Sequence, residues 1–206
     1  MQNVGVLPTF KFVDMLCFEK DYISSFPHEV YALLLLFPLT PQHEEFRKKQ
    51  DDEQKDKEPD AKVYFMKQTM DNSCGIVGLI HATASNKGKM SFDQDSALKD
   101  FLDKTADVSP DERAKLLEKN EALCFAHNSV AAEGNCRPNE DDVHFHFIAF
   151  TAVDGHLYEF DGLTSKPIDH GPTEGTLLED ASKICKKFTE RESGEVRFLS
   201  VALIKA

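Results

Sequence analysis

The nine residues "YALLLLFPL" (31–39) carry no charge and no alternation of polar with apolar side chains. A strand with one wet face alternates with period two, whereas a strand apolar at every position has both faces covered. The run stops at a proline and falls far short of the ~20 residues that a bilayer-spanning helix needs. It therefore predicts a buried strand with other layers above and below it.

The rest of the chain supplies those layers. "FKFVDML" (10–16), "KVYFM" (62–66), "VHFHFIAFTAV" (143–153), "HLYEF" (156–160) and "EVRFLSVALIKA" (195–206) read as further strands. Asp154-Gly155 between the third and fourth of these is a strong antiparallel hairpin signal. "CGIVGLIHATASN" (74–86) is apolar nearly all round and predicts a buried helix. "SALKDFLDKT" (96–105) is amphipathic, and 109–134 reads as one long helix, with Ser109 as N-cap, Pro110 at the first helical position, Glu112 closing a capping box and Gly134 at its end. A last helix over 175–194 turns Leu177, Ala181, Ile184, Cys185 and Phe188 inward. The stretch 43–62, dense in charge of both signs, reads as a solvated connector or frayed polar helix, with only Phe46 and Ala61 as non-polar groups. Strands and helices are interleaved, so the expectation is an α/β (α+β) single domain over 1–206, an antiparallel central sheet flanked by helices on both sides.

At 206 residues the chain is long enough for a sizeable core, and its net charge of −12 argues against nucleic acid or an anionic lipid surface as partner. The five cysteines, Cys17, Cys74, Cys124, Cys136 and Cys185, are odd in number, widely spaced and free of any CxxC pair. That disfavours both a disulfide framework and a zinc knuckle. With no basic, apolar leader at the N-terminus, a reducing cytoplasmic setting is the expectation.

Cys74 stands out among the five. It opens the buried helix, where the positive end of the backbone dipole favours a thiolate over a thiol. Core burial is the alternative fate of such a cysteine. A nucleophile needs a base, and the hairpin selects one among eight histidines. With the turn at 154–155, paired residues sum to 309, which makes His146 and Asp161 diagonal neighbours about 7–8 Å apart. A carboxylate there can fix the imidazole tautomer and stabilise its charged form. His144 shares the face but lies farther along, and "HFH" is also half of a metal site whose third ligand is missing, so no metal or cofactor is expected. Asp161-Gly162 is also compatible with plain turn chemistry. Gln68, six residues before Cys74, offers a neutral amide donor to the oxyanion that thiolate attack on a carbonyl creates.

The stretches "FVD", "ALLLLFPLT", "QHEEFRKKQ", "KVYFMKQTMDNSCG", "GLIHA", "RAKLLEKNEA", "FHFI", "VDGHLYEFDG" and "FTERESGEVRF" cover nearly the whole chain in order. They resemble the ubiquitin carboxyl-terminal hydrolases, small papain-like cysteine deubiquitinases. By position, Cys74 is similar to the family nucleophile, His146 to its general base, Asp161 to the acid that orients the histidine, and Gln68 to the oxyanion donor. The resemblance implies a knotted fold of that family and a partner, ubiquitin, whose flexible Arg-containing, Gly-Gly-ended tail lies under a loop matching 130–142. It implies hydrolysis of small adducts or short peptides from the ubiquitin C-terminus through an acyl-enzyme. The alternative is a protein that holds monoubiquitin with little turnover, and a general papain-like protease is disfavoured by the crossing loop. Relative to the family the N-terminus is shortened, which predicts a loss of stability. No cysteine near the C-terminus offers a prenyl-type membrane anchor.

Overall fold

A computed structural model describes residues 1–54, 62–133, 144–192 and 194–206. Its centre is a six-stranded antiparallel sheet. The strands are β1 (Phe10–Met15), β2 (Val30–Pro38), β3 (Phe145–Val153), β4 (His156–Phe160), β5 (Ile168–Pro172) and β6 (Leu199–Lys205), in the order β1-β6-β2-β3-β4-β5. The helices are α1 (Lys20–Ser25), α2 (Pro41–Gln54), α3 (Cys74–Asn86), α4 (Ala97–Lys104), α5 (Pro110–Glu118), α6 (Glu121–Glu133) and α7 (Leu177–Arg191).

β2 explains the two-sided architecture. Its side chains alternate between two cores. Ala32 and Leu34 join α3, α4, α5 and α6 on one face, while Leu33, Leu35 and Phe37 join α1 and α7 on the other. The same alternation runs through β3, with Ala149 on the first face and Ile148 and Phe150 on the second, and through Leu203 against Ala202 and Ile204 in β6. The uniformly apolar sequence is thus the sum of two half-strands, each with its own buried layer. On α7 the deepest positions are Leu178, Ala181, Cys185 and Phe188, with Leu177 and Ile184 at the margin. Thr176 and Glu179 close a complete capping box at its start, where sequence reading had placed such a box at Ser109–Glu112. Ser109 does accept the Glu112 N–H.

Three expectations are corrected. Residues 62–66 are not a strand, because side chains rather than a neighbouring strand take up their backbone groups. The Met66 N–H donates to His81 Nε2 at 3.1 Å, and the Phe65 carbonyl accepts from Arg113 at 2.8 Å. The helix expected over 109–134 is two helices, because Asn120 accepts the Leu123 N–H and caps a new start. The charged stretch 43–62 holds α2 as far as Gln54, residues 55–61 lying outside the described residues, and the side chains that seat the helix are polar. His43 and Arg47 are buried, and the His43 ring packs on Phe37 and Phe188. α1 and β5 went unread because each is short and weakly patterned. The N-terminal segment folds into a turn at Gln2–Val4, with Val4 and Val6 buried in the first core and Val6 bridged to Phe92.

Candidate active site

Cys74 is the first residue of α3, which lies against β3 and β2. The chain enters the helix through Asn72, whose φ of 56° is a left-handed conformation that asparagine tolerates. Ser73 occupies the cap position but turns its hydroxyl back to the Met70 carbonyl, 2.8 Å away, and makes no capping bond. The leading N–H groups of α3 therefore stay open toward the thiol. One of them, from Gly75, helps to lower the Cys74 thiol.

His146 and Asp161 come together at the mouth of the hairpin. Val153 pairs with His156 and Ala149 with Phe160, the expected register, and the ladder stops there. Past Phe160 the chain turns. The Asp161 carboxylate accepts the Leu163 N–H at 2.9 Å, and its carbonyl accepts from Thr164. The turn chemistry and the histidine partnership thus coexist in one residue. Oδ1 of Asp161 lies 2.7 Å from His146 Nε2, both groups being almost wholly buried. That leaves Nδ1 as the ring nitrogen open to Cys74, whose thiol His146 influences.

The electrostatics follow from these partners. Burial pushes the Cys74 thiol up, but hydrogen bonds from His146, the Phe147 N–H and the Gly75 N–H, with the His146 charge, bring it below its ordinary value. Burial likewise opposes a charged His146. Its bonds to Asp161 and Cys74 prevail and raise it to about 9. Burial opposes an ionised Asp161 as well, yet His146, Arg47 and the Leu163 N–H hold it well below the usual carboxylate range. The three shifts all run in one direction, toward a thiolate beside an imidazolium and a carboxylate, the state nucleophilic attack requires.

Gln68 is tied to the residue that follows Asp161. Its N–H donates to the Gly162 carbonyl at 2.8 Å. A Cβ on Gly162 would stand 2.7 Å from the Gln68 Cβ, so the close approach needs glycine there. The Gln68 Oε1 is buried and has no partner among the described residues. His144 is exposed. Among the described residues no set of three or more His, Cys, Asp or Glu is placed to hold a metal ion. Of the loop 130–142, residues 134–142 lie outside the described residues.

Sequence reading missed the layer behind Asp161. Arg47 of α2 bonds Glu159 and lies 3.1 Å from Asp161 Oδ2, and His170 of β5 meets Glu159 Oε2 at 2.9 Å. The available signal was small. Glu159 and Asp161 sit two apart on the end of one predicted strand and share a face, so two acids there call for a cation.

The fold and this trio define a cysteine-type hydrolase. The model of ubiquitin carboxyl-terminal hydrolase family 1 matches residues 1–190, and the chain belongs to that family. It is 57% identical to ubiquitin carboxyl-terminal hydrolase isozyme L1 of Macaca fascicularis and 56% identical to that of Homo sapiens, each alignment spanning all of this chain and 92% of the relative. Among solved structures it resembles the Trichinella spiralis UCH37 catalytic domain bound to ubiquitin vinyl methyl ester, with a TM-score of 0.72 over 96% of this chain and 86% of that one. At 23% identity that likeness establishes the fold.

Proposed function

We propose that this chain is a thiol-dependent hydrolase that releases small adducts or short peptides from the C-terminal glycine of ubiquitin. The observation that carries the reading is the buried relay from Asp161 through His146 to Cys74, with the thiol below and the imidazole above their ordinary pKa values. Cys74 is the nucleophile. Its thiolate attacks the carbonyl carbon of the terminal glycine, and the carbonyl π electrons move to oxygen. That oxyanion is held by the Gln68 amide and the Cys74 backbone N–H. His146 gives its proton to the departing amine or alcohol as the carbon–leaving-group bond breaks, leaving a thioester. Water then loses a proton to His146 and attacks the thioester. The carbon–sulfur bond breaks, the new acid gives its proton to solvent and leaves as the carboxylate, and the thiolate–imidazolium pair returns.

The relatives and the solved neighbour support ubiquitin as substrate through their names and, for the neighbour, its bound ubiquitin ester. The net charge of −12 suits an Arg-containing tail and not nucleic acid. The segment 130–142 is proposed to cross the cleft and admit only thin leaving groups. Among the described residues no helix is long and apolar enough to cross a membrane, and a cytoplasmic setting is part of the proposal.

The test is fluorophore release from the C-terminus of ubiquitin, measured beside a binding titration of monoubiquitin. Turnover that disappears in Cys74→Ser supports the reading. Tight binding without release would replace it with a ubiquitin holder.

A further inference from the structure

Arg47 is buried on α2, in a stretch whose sequence looks like solvent-facing charge. Its Nη2 meets two carboxylates at once, Glu159 and Asp161, while Nη1 bonds Gln50 Oε1 at 2.6 Å and the guanidinium packs 5.3 Å from the Phe188 ring centre. Glu159, next to last in β4, and Asp161, just past its end, are 0% and 1% exposed, and Arg47 reaches both. Two such acids so close together would share one proton unless a cation lay between them. The other charged or titratable groups around the arginine are His43 and Asp51 on its own helix, Arg191 of α7 and His170 of β5. His43 is held neutral by burial and the nearby arginines and brings no competing charge.

The two oxygens of Asp161 are consequently not equivalent. Oδ1 accepts from His146 and from the Leu163 N–H, and Oδ2 faces Arg47. A carboxylate gripped at both oxygens cannot rotate, and it presents a full negative charge to the imidazole. We propose that Arg47 is a positioning residue for the thiol chemistry, fixing the orientation and ionisation of Asp161 and through it the His146–Cys74 pair. This rests on the hydrolase reading for its substrate, but its first test needs no substrate.

That test is the pH dependence of Cys74 alkylation by iodoacetamide in the full chain, with Cys74→Ser as the blank for the other thiols. In Arg47→Gln the midpoint for thiolate reactivity is expected to move upward. With ubiquitin–fluorophore as substrate, kcat is expected to fall about 10- to 100-fold, the usual range for an outer residue that orients a reacting one, with KM little changed. Arg47→Lys, which keeps the charge and loses the planar fork, should recover part of kcat. Arg47→Met paired with Glu159→Gln removes the buried acid along with the cation, so the fold is preserved even where the single variant is too unstable to assay. Low kcat and a shifted midpoint in that pair support the proposal. Recovery of wild-type kcat there would show that Arg47 serves only to neutralise Glu159. An unmoved alkylation midpoint, or wild-type kcat in Arg47→Gln, would also overturn it. Should wild type fail to hydrolyse ubiquitin at all, the alkylation series still decides the role of Arg47.

Discussion

His146 and His81 are both buried imidazoles that pack on phenylalanine rings, and they titrate in opposite directions. His81 lies between Phe65 and Phe160, its Nε2 accepting the Met66 N–H. Burial dominates there and lowers it to about 3. His146 is nearly as buried, but it meets a carboxylate on one nitrogen and a thiol on the other, and it rises to about 9. The lesson is that burial alone removes the charge from a histidine, and only an anionic partner restores it. His81 is a neutral acceptor that holds the 64–68 segment in place. His146, charged between its two partners, is the proton carrier of the proposed reaction.

The most damaging way to break the contrast is to remove the charged side. Cys74→Ser should abolish ubiquitin–fluorophore hydrolysis while keeping binding, and His146→Gln should lose at least ~10²- to 10⁴-fold in kcat. His144→Gln, an exposed change, should lose far less. Equal losses for the two histidine variants would refute the assignment. An electrophilic ubiquitin probe should label wild type and His144→Gln but not Cys74→Ser.

Asp161→Asn comes next. The amide can donate where the carboxylate accepts, which favours the wrong tautomer of His146 and withdraws the charge that raises it. Acylation measured by stopped flow should slow by about 10²- to 10⁴-fold, and the onset of Cys74 alkylation should move to higher pH. Unchanged acylation would mean that Asp161 serves only the turn at 161–164.

A smaller loss is expected from Gly162→Ala. The added methyl would meet the Gln68 Cβ at 2.7 Å and its backbone nitrogen at 3.1 Å, pushing the proposed oxyanion donor away without touching the ion pair. kcat should fall about tenfold, short of the ~10²- to 10³-fold that follows outright deletion of such a donor. The alkylation profile of Cys74 should stay in place, and a shifted profile would tie Gln68 to the thiolate instead.

The mildest test reads stability against pH. His81 is near 3 in the folded chain against 6.5 unfolded. Between those values the unfolded chain holds the extra proton, so stability falls as pH falls from about 6.5 toward 3. One such group gives a slope of about 1.4 kcal/mol per pH unit. His43, also lowered to about 3, adds to the same window. His146 has the opposite sign, its contribution being complete below 6.5 and lost as pH rises through about 9. Urea midpoints for His81→Leu across pH 4–6.5 should show a shallower slope than wild type, and an identical slope would mean that His81 is protonated in the folded chain.

The parts of the molecule legible in the sequence are those governed by local rules. The hairpin register came from Asp154-Gly155, the buried helix behind Cys74 from its composition, and the two-sided cover of β2 from its unbroken apolar run. What escaped was set by side chains distant in sequence. Residues 62–66 look like a strand because their propensities are right, but His81 and Arg113 take their backbone groups. α2 looks solvated because its buried members are a histidine and an arginine, whose polar partners Arg191 and Glu159 lie more than a hundred residues on. The pairing of His146 with Asp161 was readable from type and spacing. The network behind them was not, since no pattern within α2 announces two acids at the end of β4.

The position of β6 bears on how the chain is made. β6 lies between β1 and β2, and among the described strands it is the only partner of β1. It also follows every other strand and helix in the sequence. During synthesis on the ribosome, β1 must therefore wait, its backbone unpaired, until nearly two hundred later residues have been added. β2 can close on β3 earlier but keeps one open edge for the same interval. A nascent chain of this topology carries two exposed strand edges, one of them strongly apolar, through most of its translation. That interval of waiting makes it a natural client for chaperones.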